Sequence, residues 1–195
     1  MTRHSGAALL IALLLAGCAG AQRETAAPSA RKQERLAAVK ADPAEALRIL
    51  NAYRSGKGLG PVRLDSTLTA MAQRQSDAMA ASDDLSHSAA GSFNSRVNAA
   101  GLDTVRAAEN LGAGYYSTQE AFDGWKKSSG HEANLSMPQA TRIGIALAKN
   151  PQTRYGAWWT LVLAGEPEKR REMSTGPLVP VRGSETTTFR WGAPL

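Results

Sequence analysis

Past position 17 the chain carries two histidines, His87 and His131. The first sits in Leu85-Ser86-His87-Ser88, the second in Ser128-Ser129-Gly130-His131-Glu132-Ala133-Asn134. Between them, Ala107-Ala108-Glu109-Asn110-Leu111 sets one carboxylate in an otherwise apolar patch. Two neutral imidazoles and a carboxylate can offer three ligands to a divalent ion such as zinc and leave a position open. The same groups can instead form a hydrogen-bonded network in which the carboxylate fixes one imidazole's tautomer. They can also activate a water, with Glu109 as general base. Other chemistries fail on inventory. There is no G-x-S-x-G elbow and no G-x-x-x-x-G-K-[ST] phosphate loop. His131-Glu132 opens like H-E-x-x-H, but Leu135 stands where the second histidine would be. Ser86 and Ser128 neighbour the histidines in sequence, which alone does not make a triad.

Those groups need a scaffold, and 195 residues suffice for one ordinary domain. With 43% hydrophobic and 21% charged residues, the chain has the composition of a packed fold rather than a disordered one. A single cysteine excludes an intrachain disulfide framework and a cysteine-ligated zinc module. The formal charge of +6 permits contact with anionic lipid or cell-wall polymer. No Lys/Arg stripe interleaved with aromatics appears, so nucleic acid is not an expected partner. The N-terminus has the form of an address. Arg3 precedes the apolar run Ala7 to Ala16, which is too short for a bilayer span of ~20 residues and is laid out as a secretory signal. The run ends Leu15-Ala16-Gly17-Cys18, which resembles the lipobox of bacterial lipoproteins. That resemblance implies cleavage before Cys18, a diacylglycerol on its thiol and a fatty acid such as palmitate on its amine. With Ala19 rather than Asp next, it also implies the outer membrane. Each buried CH₂ contributes ~0.8 kcal/mol, so two or three acyl chains anchor stably where one would not.

The expected organisation is therefore signal 1–17, lipidated Cys18 and tether 18–43, compact domain 44–165, and a loose tail 166–195. Arg31 to Lys40 reads as a short helix within the tether. Asp42-Pro43 reads as an N-cap with proline at the first helical position. Ala46, Ile49, Leu50 and Tyr53 follow at helical spacing. A second helix opens at Asp65 with Leu68, Met71, Ala72 and Met79 on one face, a stripe best explained by core packing. Phe93 to Ala100 reads as a short helix after the polar loop that holds His87. Ala107 to Ala113 suits a strand. Ser117-Thr118-Gln119-Glu120 has the form of a capping box before Ala121, Phe122 and Trp125. Arg142 to Ala148 and Tyr155 to Leu163 read as a hairpin whose second strand is covered on both faces. Helices before and among strands predict an α+β domain.

These segments, in this order, resemble the CAP superfamily of cysteine-rich secretory, antigen 5 and pathogenesis-related-one proteins, in its cysteine-poor bacterial branch. The landmarks are Leu50-Asn51-Ala52-Tyr53-Arg54, Gly58-Leu59-Gly60-Pro61-Val62, Leu64-Asp65-Ser66-Thr67-Leu68, Leu85-Ser86-His87, Phe93-Asn94-Ser95-Arg96, Glu109-Asn110-Leu111, Trp125 to His131, and the Arg142–Leu163 hairpin. Each is weak alone, but their order and gaps make the match specific. The resemblance implies a three-layer α-β-α sandwich with a central antiparallel sheet and a large open cleft. It places His87, Glu109 and His131 in that cleft, with Ser128 where many eukaryotic members have a second glutamate. Without that acid, any zinc site at His87, Glu109 and His131 is expected to be weak or absent. The expected function is an envelope-anchored module that binds a lipid, cell-wall component or partner in the cleft. The alternative is a hydrolase working through a histidine- or metal-activated water. Oligomeric state is not encoded in any pattern found.

Overall fold

The computed structural model describes residues 28–104 and 106–166. The signal 1–17, Cys18 with the tether as far as residue 27, and the tail from residue 167 lie outside the described residues. In chain order the elements are α1 (Ala30–Ala38), α2 (Pro43–Ser55), β1 (Arg63–Leu64), α3 (Ser66–Ser82), α4 (Phe93–Ala99), β2 (Ala107–Ala113), α5 (Thr118–Lys126), α6 (Ser129–Leu135), β3 (Arg142–Lys149) and β4 (Ala157–Ala164).

The helix starts follow local chemistry. Asp42 accepts from the amides of Ala44 and Glu45 ahead of α2, with Pro43 in the first turn. Asp65 accepts from Leu68 N at the start of α3, and Ser92 from Ser95 N at the start of α4. At α5 the capping box is altered. Ser117 accepts from Glu120 N, but the Glu120 carboxylate turns to the amide of Tyr116 rather than that of the cap residue.

The sheet runs β1-β3-β4-β2. β4 pairs antiparallel with both β3 and β2 and is buried along its whole length. Its side chains alternate between two layers, as strand geometry requires. Trp159, Leu161 and Leu163 join Ile143 and Ile145 under α1, α2 and α5, against Leu36, Val39, Ile49, Leu50, Phe122 and Trp125. On the other face, Val162 and Ala164 meet Leu68, Met71 and Ala72 of α3, with Phe93 and Val97 of α4 alongside. Trp158 packs there on Met79 and Leu111. Helices thus cover both faces, and the architecture is a three-layer α-β-α sandwich.

Three features differ from the sequence reading. The sheet is not wholly antiparallel, because β1 joins β3 in parallel register, Arg63 opposite Arg142. Two residues are too few to leave a period-two signature. Helix α6 was not expected, since its opening Ser129-Gly130 has poor helix propensity. Residues 30–39, placed in the tether, pack into the body. Leu36 and Val39 are buried, and Lys32 Nζ donates to Thr153 O at 2.6 Å.

Two contacts set the layer spacing. Gly144 lets α3 lie directly on β3, since a β-carbon there would overlap the Leu68 carbonyl carbon and the Thr69 nitrogen. Arg54 of α2 is fully buried and has no carboxylate partner among the described residues. Its guanidinium donates to the carbonyls of Gly60, Leu135, Met137 and Ala140 at 2.8–3.1 Å. This ties the loop between α6 and β3 to α2, while burial lowers the Arg54 pKa from its ordinary value.

Gly144→Ala is expected to cost about 1–3 kcal/mol or more, because rigid backbone must move to admit the methyl group. Gly130→Ala in α6 meets nothing within 4 Å and should stay within about 0.5 kcal/mol of the parent. Urea unfolding midpoints with unchanged slopes measure both.

Candidate functional site

Edge strand β2 carries the site. Residues 107, 109 and 111 share the face toward α3 and α4, while 108 and 110 face α5 and α6. Glu109 therefore points into the layer that holds the His87 loop, and its side chain is only 2% exposed. Arg96, on the buried side of α4, grips both carboxylate oxygens, Nη1 to Oε2 at 2.7 Å and Nη2 to Oε1 at 2.9 Å. This is a bidentate, buried ion pair. The same guanidinium donates to His87 O at 2.9 Å and to Gly91 O at 3.0 Å. Gly91 turns the chain there at φ +89°, a conformation that favours glycine. The fully buried Gln75 of α3 completes the mount, donating to Ser86 O at 2.6 Å and accepting from Ala90 N.

His87 lies on top of this mount. Its Nδ1 is 2.9 Å from Glu109 Oε1. An ionised carboxylate only accepts, so Nδ1–H is the donor, and in the neutral ring Nε2 is an acceptor. The side chain is 60% exposed, so the ring faces solvent.

His131 approaches from the other layer on α6. Asn110 donates to His131 O at 3.0 Å. Asn134 donates to Asn110 Oδ1 at 2.9 Å and to Glu109 O at 3.3 Å. These amides satisfy and blunt the outer edge of β2, as does Trp125 Nε1 on Leu111 O at 2.8 Å. Burial lowers the His131 pKa first, and the positive charge of a protonated His87 adds to the effect. His131 forms no side-chain hydrogen bond among the described residues. The structure thus joins His87 to Glu109 directly, and among the described residues His131 meets this pair only through the Asn110 and Asn134 amides on β2 and α6.

Ser128 does not enter the network. It occupies the N-cap position of α6 without a capping hydrogen bond from its side chain. Glu132 faces away, toward α2. Its Oε1 receives Lys57 Nζ at 2.8 Å, Tyr53 Oη at 2.6 Å and Ser136 Oγ at 2.7 Å. Those three partners hold its carboxyl at about 2.

The proposed divalent-metal set does not fit. Both oxygens of Glu109 are occupied by Arg96, whose charge already neutralises the carboxylate. A divalent ion would have to displace that guanidinium or sit against it. Among the described residues no group of three or more His, Cys, Asp or Glu side chains is gathered to hold a metal.

Sequence reasoning gave no role to Arg96, Gln75, Asn110 or Asn134. Arg96 stood in a quoted landmark, but an arginine in a short helix reads as surface until the partner on β2 is seen.

With fold and site in view, comparison with known proteins is direct. The chain belongs to the CAP, or cysteine-rich secretory protein, family, which matches residues 47–163. It is 28% identical over 122 residues to the Bacillus subtilis (strain 168) protein YkwD, covering 62% of this chain and 46% of that one. The chain thus spans under half the length of that relative. An extracellular protein of Bacillus anthracis containing an SCP domain superposes with TM-score 0.55 at 23% identity, covering 63% of this chain and 40% of that chain. An outer surface protein of Borrelia burgdorferi gives TM-score 0.56 at 18% identity, covering 65% and 96% respectively. At these identities the two structures establish the fold.

Arg96→Gln is expected to cost about 3–5 kcal/mol, because it leaves the Glu109 charge buried without its partner. Arg96→Gln/Glu109→Gln should recover part of that loss in urea unfolding. Two acid steps are expected in stability against pH. His131 has a depressed folded pKa, so its contribution is present above about 6.5 and is lost as pH falls below that value. Glu132 contributes above its ordinary value of 4.5, and that contribution is lost as pH falls toward about 2. Glu132→Gln should flatten the second step and leave the first.

Proposed function

We propose that the protein is an envelope-anchored CAP-domain lipoprotein that binds a ligand or partner at the His87, Glu109 and His131 surface. One observation carries this reading. A solvent-facing imidazole is held in a single orientation by a buried carboxylate that is itself neutralised by Arg96. Such a group offers a fixed hydrogen-bonding contact with little ordering cost on binding. Burial favours the neutral form of His131, which adds a second polar contact. The surface therefore suits a hydrogen-bonding part of a lipid or cell-wall component. Hydrolysis is less well supported. Among the described residues no hydroxyl hydrogen-bonds to either imidazole, so no side-chain nucleophile supports it. Ser86 Oγ instead meets Ser88 Oγ at 2.9 Å.

The anchor belongs to the same proposal. Its support is the run Ala7 to Ala16 followed by Cys18, together with relatives described as extracellular or outer surface proteins. Lipidation at Cys18 with retention at the outer membrane fits both.

The intact protein extracted from membranes should have the mass of residues 18–195 plus a diacylglyceryl group and an N-acyl chain. An unmodified Cys18 would overturn the anchor. Small molecules that co-purify should be lost from His87→Ala and His131→Ala proteins whose unfolding midpoints stay within about 1 kcal/mol of the parent. The same bound species in parent and variants would overturn the binding surface.

A further inference from the structure

A second polar feature lies where α1 meets the turn between β3 and β4. A cavity of about 500 Å³ is lined by Ser29, Arg31, Lys32, Arg35, Tyr116 and Arg154. Four of these six side chains are cationic and none is acidic. Among the described residues none of the four cations takes part in an ion pair. Asp83 binds the backbone amide of Arg154 at 2.9 Å. Like charges so grouped raise a strong local positive potential.

The grouping is held in place by packing. Leu36 and Val39 pin α1 to the core. Lys32 Nζ reaches Thr153 O, and Lys149 Nζ reaches Val39 O at 3.1 Å. These contacts bring the turn, and Arg154 with it, beside α1. The Arg35 guanidinium lies 3.9 Å from the centre of the Tyr116 ring, a cation–π contact that fixes its plane. The fold thus holds several cations side by side, three of them exposed, where their summed potential attracts an anion. Ordered guanidinium groups match phosphate oxygens in geometry.

The position of the cavity indicates the source of that anion. Ten residues, Ala19 to Pro28, separate Cys18 from Ser29. Fully extended they reach no more than ~35 Å. If Cys18 is acylated, the first element after the tether stays within that distance of the bilayer. We infer that this cavity seats the phosphodiester headgroup of an anionic lipid, so that the domain is held against the membrane to which it is tethered. The inference extends the lipid-anchored reading and shares no residue with the His87 surface. It gives the basic excess of the chain a local use, because near a membrane each added Lys or Arg strengthens binding to anionic headgroups.

The test uses the processed chain, residues 18–195 with Cys18→Ser, its fold checked by circular dichroism against the acylated protein. It is offered phosphatidylcholine vesicles with and without about 30 mol% phosphatidylglycerol, the second expected to bind at least about tenfold more tightly. Arg31→Gln/Arg35→Gln/Arg154→Gln should remove that advantage. Arg74→Gln/Arg106→Gln/Lys127→Gln loses the same formal charge from exposed positions elsewhere and should retain it. Equal binding to both vesicles, or equal loss in both triple variants, overturns the inference. Saturable binding of inorganic phosphate without vesicle binding also overturns it, since the anion would then be a soluble one. The vesicle result does not depend on acylation, so a failed anchor appears only in the mass spectrum.

Discussion

The Arg96–Glu109 pair is the constraint on which the site depends. A carboxylate that is 2% exposed cannot stay ionised in an apolar layer without a partner. Arg96 supplies that partner in bidentate form and, with the same guanidinium, holds the carbonyl of His87. One side chain of α4 therefore fixes the charge state of β2 and the path of a separate loop. The cost is charge neutrality at the place where a metal would need an available carboxylate.

The sheet determines which groups can meet. β4 is buried on both faces and serves the core alone. β2 lies at the edge and can be reached from both layers. Glu109 and Asn110 are neighbours in sequence, yet they face α4 and α6 respectively. The edge of β2 is thus where a loop from one layer and a helix from the other come together. Its outward carbonyls are satisfied by Asn134 and Trp125 instead of by another strand. The edge is closed to further pairing and remains the floor of a surface.

Most of the layer architecture was legible in the sequence, because it rests on periodicity. Leu68, Met71, Ala72 and Met79 mark one face of α3, and the apolar residues of β4 predict a strand covered twice. The elements missed were short: β1 has two residues and α6 opens on Ser129-Gly130. The helix at α1 was expected, but its docking was not, because it rests on only two buried apolar side chains. Within the site, His87, Glu109 and His131 were recognised through family resemblance, and the structure joins His87 to Glu109 by a hydrogen bond. Arg96 and Gln75 were not assigned, because a buried polar side chain has no signature until its partner on another element is known. Ser128 was assigned by position in the family pattern, and position alone did not give it a hydrogen bond.

Arg54 and Arg96 show how far polar contacts, rather than the core, position the imidazoles. Both guanidiniums are buried, but their charges are met differently. Arg96 has a carboxylate, whereas Arg54 has four carbonyl dipoles and a lowered pKa. Arg54 holds the C-terminal end of α6 at Leu135, Glu132 holds its outer face to Tyr53 and Lys57, and Asn110 and Asn134 hold it to β2. The helix that carries His131 has seven residues and contributes one large residue, Leu135, to the buried core. Apolar burial of that size cannot fix its angle, so the hydrogen bonds must. Such networks act as a unit, in which removing one member weakens the others. The placement of α6, and of His131 with it, is therefore a property of the network.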